Sequence, residues 1–153
     1  MISHFVVVRG FLMVLLCAAA LGCGGGDTGV PVSPVAGILM VDGTPADGVS
    51  VTCHEASIVQ DAATGAYPAV ASAQSGPDGS FSLSIDREKN GLPAGDYVLT
   101  FVWFKMIDSP NATLAEKDFL NRKFNMPPKS PKKFTVVIGE DTDLGTIELT
   151  TKK

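Results

Sequence analysis

Between residues 35 and 149 apolar side chains recur with a period of two, and each run is cut short by a turn. In Val49-Ser-Val-Thr-Cys-His54, the residues Val49, Val51 and Cys53 share one face and Ser50, Thr52 and His54 the other. In Ser80–Ile85, Phe81, Leu83 and Ile85 alternate with three serines. A helix would scatter such residues around its axis, whereas a strand gathers them on one side. The stops are chemically specific. Asp42–Gly48, Ser75–Gly79, Pro93–Asp96 and Gly139–Asp143 are rich in Gly, Pro and Asp, which preset or tolerate turn dihedrals. Val35–Val41 and Ala69–Gln74 add two more runs. Tyr97–Phe104 is apolar almost throughout, as in a central strand covered on both faces. Phe134–Ile138 and Thr146–Leu149 close the series. Seven short strands predict an all-β sandwich with Val49, Val51, Phe81, Leu83, Ile85, Tyr97, Leu99 and Phe101 in its core. One short helix is expected over residues 113–120, where Thr113 and Glu116 have capping-box spacing. Residues 57–68 read as a loop, and the prolines of 121–133 read as an extended connection.

The chain before this domain has a different character. Residues 1–22 hold one charged residue, Arg9, and an apolar stretch from Phe11 to Leu21 that suits a signal-peptide core. It is short for a membrane span of ~20 residues, although Phe5–Val8 lengthens it, so a membrane-spanning N-terminal anchor is the alternative. Ala19-Ala-Leu-Gly-Cys23 resembles a bacterial lipobox, with Leu21 one place from its usual position. The resemblance implies cleavage before Cys23 and lipid on its thiol. Gly24 in place of Asp implies sorting to the outer membrane. Residues 23–34 are rich in Gly and Pro and read as a flexible tether. The expected organisation is therefore leader 1–22, tether 23–34 and domain 35–150.

The chain has 16 acidic and 12 basic residues, a net charge of −4, and loss of Arg9 with the leader makes it more negative. That balance argues against nucleic acid, whose binding depends on Lys and Arg. Lys129, Lys132 and Lys133, set among prolines, read as a solvated loop. Of three cysteines, Cys17 leaves with the leader and Cys23 is committed to lipid. Cys53 is then a lone thiol, expected in the core as a small apolar residue.

Four segments in order carry a family resemblance: "GILMVDGTPADGVSVTC" (37–53), "GPDGSFSLSI" (76–85), "LPAGDYVLTF" (92–101) and "FTVVIGEDTDLGTIEL" (134–149). Together they resemble the carboxypeptidase regulatory-like domain, a transthyretin-like (prealbumin-like) Greek-key β-sandwich. "RKFNMPPKSPKKFTVVIGE" (122–140) is similar to the late segment of small lipoproteins of planctomycete-type bacteria. The resemblance implies a fold and an address in the cell envelope, with no catalytic centre and no cofactor.

The residue chemistry agrees with that expectation. After leader removal His54 is the one histidine. Its neighbour Cys53 points to the opposite face of the strand, so the two are poorly placed as base and nucleophile. A hydrolase built around His54 is the least favoured reading, and His54 with Glu55 reads better as a solvated edge. The aspartates lie in turns, and Glu140–Asp143 could offer two or three oxygens where calcium needs 6–8, so no metal site is expected. Trp103 and Phe104, followed by Met106 and Ile107, are the candidates for a patch that contacts an envelope protein or a glycan. The bland alternative is that the 108–133 excursion folds over them. The favoured function is a non-catalytic, lipid-anchored envelope protein with a structural or binding domain.

Overall fold

The structure, a computed structural model, describes residues 29–86, 89–107 and 115–152. Strand β1 (Val35–Val41) alternates buried and outward residues and anchors the first sheet. A left-handed Asp42-Gly43 pair (φ 50° and 82°) returns the chain into β2 (Thr44–Pro45), as a two-residue hairpin turn requires. The chain then crosses to the second sheet and forms β3 (Ser50–Glu55), β4 (Ala71–Gln74) and, after the Ser75–Gly79 turn, β5 (Ser80–Ser82). Strand β5 goes back to β1 and pairs with it antiparallel. Next come β6 (Gly95–Val102), a hairpin of β7 (Phe104–Ile107) with β8 (Ala115–Asp118), β9 (Lys133–Val136) and β10 (Thr142–Leu149). The second sheet has the order β4-β3-β6-β9, antiparallel throughout. In the first, β10 runs parallel to one edge of β1, while β5 and β2 share the other.

The two sheets close on one core. Val35, Leu39, Phe81, Leu83, Ile147 and Leu149 of the first meet Val51, Cys53, Leu99, Phe101 and Val136 of the second. This is a β-sandwich, and each of the seven expected runs carries a strand of it. Two buried details hold the crossover. The Ser75 hydroxyl donates to the Ala46 carbonyl (2.6 Å) and accepts from the Val49 amide (2.9 Å). Gly79, at φ 79°, passes so close to Leu39 that a Cβ would collide with the Leu39 carbonyl oxygen.

Three expectations are corrected. The helix over 113–120 is absent from its described part, where 115–118 is strand β8 and Phe119–Leu120 is a turn; residues 113 and 114 lie outside the described residues. The Asp118 carboxylate caps that turn, accepting from the amides of Leu120 (3.0 Å) and Arg122 (2.8 Å). Asn121 and Arg122 then adopt left-handed φ of 53° and 58°, which no helix could continue through. Local capping spacing is outweighed by pairing with β7. Ile85 lies 40% exposed rather than in the core, because the strand ends before it and its amide turns to the Lys89 carbonyl. Pro127–Lys129 form a single 3-10 turn inside the 121–133 connection, with proline at the start where its missing N–H costs nothing.

The ends of the sandwich differ. Ser33 bonds Leu92, Val137 and Gly139, so the chain enters at the end where β6 begins and β9 stops. The 42–49 crossover, the β7–β8 hairpin and the last residues, 150–152, lie at the far end.

Candidate functional site

His54 is 5% exposed, which corrects its expected place on a solvated edge. It does lie on the outer face of β3, opposite Cys53, but that face is roofed by residues 56–70. Its Nδ1 lies 2.8 Å from the Pro68 carbonyl and its Nε2 3.0 Å from the Thr100 hydroxyl. A carbonyl only accepts, so in the neutral ring Nδ1 donates and Nε2 accepts from Thr100. Tyr67 packs edge-on to the ring at 6.5 Å. A hydroxyl on an imidazole has the outline of a nucleophile–base pair, yet Thr100 is only 4% exposed and is itself covered. A substrate would have to displace the loop that supplies the Pro68 carbonyl. Cys53 is fully buried on the inner face, and desolvation pushes its thiol up to about 12, far from the reactive thiolate range.

The alternation that builds the core continues into the β7–β8 hairpin and sorts its side chains. Phe104 pairs with Asp118 and Lys105 with Lys117. Trp103, Lys105, Lys117 and Phe119 therefore share one face, and Phe104 lies on the other, 54% exposed. The Trp103 and Phe119 rings meet edge to face at 6.0 Å. Trp103 is half-buried against the core, and its indole N–H donates to the Asp47 carbonyl at 2.9 Å. The Lys105 ammonium sits 3.7 Å from the Trp103 ring centre. It also lies 5.5 Å from the Phe119 ring centre, with Lys117 at 5.7 Å. The structure thus gives Trp103 an anchoring role and places Lys105 over its ring and Lys117 by the Phe119 ring, two residues outside the expected patch. The signal that finds them is the W-x-K and K-x-F spacing at period two across a hairpin. The side chains of Met106 and Ile107 lie outside the described residues, as does Cys23.

A cleft of about 340 Å³ lies on the roofed face, floored by Val98 and edged by Ile58, Tyr67, Pro127 and Lys133. Among the described residues no group of three or more His, Cys, Asp or Glu side chains is arranged to hold a metal ion.

No protein-family model matches this sequence, and no curated protein matches it. Solved structures do resemble it. One is BcpA, the major pilin subunit of Bacillus cereus, at 12% identity and a TM-score of 0.43, over 80% of this chain and 31% of the pilin. A 9R-lipoxygenase from Cyanothece matches at 11% identity and a TM-score of 0.42, over 78% of this chain and 16% of the enzyme. A DUF3823 family protein from Parabacteroides merdae matches at 18% identity and a TM-score of 0.33, over 80% of this chain and 46% of that protein. The chain spans less than a third of the first two, and likenesses of this order are ones of outline.

Proposed function

We propose that this chain is a non-catalytic lipoprotein of the bacterial cell envelope, held to a membrane by lipid on Cys23, whose sandwich serves as a structural or binding module. On this reading the sandwich is a transthyretin-like, Greek-key domain of the carboxypeptidase regulatory-like kind. The leader is residues 1–22 and the tether 23–34, with the outer membrane as its address. The observation that carries the non-catalytic half is the state of His54. Both ring nitrogens are spent on Pro68 and Thr100 beneath a loop, and the neighbouring thiol is neutral in the core. With the anchor in place, a tether leaving beside Ser33 would put the Trp103 hairpin at the end of the sandwich away from the membrane.

A second reading, binding of an envelope protein or glycan around Trp103 and Phe104, is favoured by the exposure of Phe104 and the Lys105 ammonium over Trp103. The test of the anchor is metabolic labelling with a fatty-acid analogue. Wild type should incorporate the label and Cys23→Ser should not. Label retained in Cys23→Ser would sink the lipid assignment.

A further inference from the structure

We infer that the end of the sandwich around Ser33 rests on a membrane, with Val30, Ile85, Val137 and Ile138 in contact with a zwitterionic lipid bilayer. This rests on the Cys23 anchor proposed above and adds what the anchored domain touches. Seven large apolar side chains are exposed among the described residues, and these four belong to segments that meet at the entry of the chain. Val30 lies three residues before Ser33. Val137-Ile-Gly-Glu140 is a turn closed by the Glu140 amide on the Val137 carbonyl (3.2 Å), with Gly139 at φ 84°. Its second position, where proline and small polar residues are favoured, carries Ile138. The turn is pinned: the Ser33 hydroxyl donates to the Val137 carbonyl (3.1 Å) and accepts from the Gly139 amide (2.9 Å). The loop bearing Ile85 is held to the same residue. Leu92 exchanges both backbone bonds with Ser33, and Gly91 packs so close that a Cβ would strike the Ser33 carbonyl oxygen. The exposure of Val137 and Ile138 is thus fixed by the fold.

The occupant follows from chain length and charge. Ser33 is ten residues after Cys23, so a fully extended tether holds this end within about 35 Å of the bilayer. A tether that short keeps the bilayer at high effective concentration, and a weak apolar contact then suffices. Aliphatic tips from three separate segments need no shaped pocket to enter a lipid interface. Charge selects the lipid. Glu140 and Asp141 are exposed beside Ile138, whereas Lys105, Lys117 and Lys123 lie toward the far end. An anionic surface would repel the tether end and attract the other, so the contact fits zwitterionic headgroups.

The test uses the acylated full chain in phosphatidylcholine vesicles, with and without lipids brominated on their acyl chains, which quench a tryptophan they touch. Trp103, the one native tryptophan, lies at the far end and serves as the internal reference. Ile138→Trp adds a reporter at the turn, and Phe104→Trp adds one at a comparably exposed far-end site. Brominated lipid should quench Ile138→Trp beyond wild type and leave wild type and Phe104→Trp unchanged. Val137→Asp added to the Ile138→Trp chain should cut that quenching about twofold or more. A cooperative denaturation transition in each variant shows that the fold is kept, and Ile85→Trp reads the same surface from the other loop. Quenching at residue 138 no greater than at 104 overturns the proposal, as does quenching that appears only when phosphatidylglycerol is added. An unquenched emission that shifts with protein density at fixed lipid also overturns it and assigns the end to a second copy of the chain. The anchor is scored separately by acyl label. Label on Cys23 without quenching ends this inference and leaves the anchor standing, whereas absence of label removes both.

Discussion

The outer face of β3 and β6 and the hairpin that follows β6 are only a few residues apart, yet they treat polar groups in opposite ways. On the sheet, every polar atom of His54 and Thr100 is spent: imidazole to carbonyl, hydroxyl to imidazole, all under a loop. On the hairpin, Lys105 and Lys117 are paired in register and their ammonium groups lie over aromatic rings. Buried polar groups must be satisfied internally or the fold loses the cost of desolvating them. Exposed charges carry no such obligation, because water solvates them without an internal partner. Burial and internal satisfaction, rather than residue type, therefore decide which polar groups are structural in this molecule. By residue type alone, histidine would have been the functional candidate and lysine the solvated surface.

His54→Leu is the severest test of that contrast. Leucine fills much of the space but leaves the Pro68 carbonyl without its donor and the Thr100 hydroxyl with only the Thr52 carbonyl, at 3.4 Å, to accept its proton. We expect a loss of about 1–3 kcal/mol, read as a lower urea midpoint, with the 56–70 loop exchanging its amide hydrogens faster. An unchanged midpoint would break the structural assignment. Loss of a hydrolytic activity in a variant with an unchanged midpoint would reverse it and make His54 a catalytic base.

Cys53, one residue away and on the inner face, gives an effect that is absent at neutral pH and confined to a defined alkaline window. In the unfolded chain its thiol ionises near 9, whereas in the folded protein burial holds it neutral up to about 12. Below pH 9 both states keep the proton, and its contribution is intact. Between about 9 and 12 only the unfolded state ionises, so stability falls as pH rises. Tyr97, raised mainly by desolvation, adds to the slope in the same sense at higher pH. Urea midpoints measured across this range should decline more steeply for wild type than for Cys53→Ala. Equal slopes would mean that the thiol is not buried in the native state.

Much of the fold was legible because period-two alternation survives wherever one face is buried. Val49–Cys53 and Phe81–Leu83 lie as that pattern requires. His54 was misread for a physical reason. Alternation tells which face a side chain is on, and not whether a loop from elsewhere covers that face. The roof over it comes from residues 56–70, which have no periodicity to read. The helix over 113–120 failed on a similar point. Thr113 and Glu116 are a local signal, while β8 exists through pairing with a strand about ten residues earlier. At the candidate site, Trp103 and Phe104 stood out as large aromatics. The lysines did not, because their meaning appears only when the hairpin sets Lys105 opposite Lys117.

The smallest effect bears most directly on the hairpin. If the Lys105–Lys117 repulsion is an unrelieved cost in the free protein, removing one charge should stabilise it. Lys117→Gln should raise the melting temperature by about 1–2 °C at low ionic strength, and added salt should erase the gain by screening the pair in wild type. Two lysines solvated independently of each other predict no gain: loss of one leaves the melting temperature where it was at any salt concentration. The salt series therefore separates a repelling cross-strand pair from two lysines that water screens from each other.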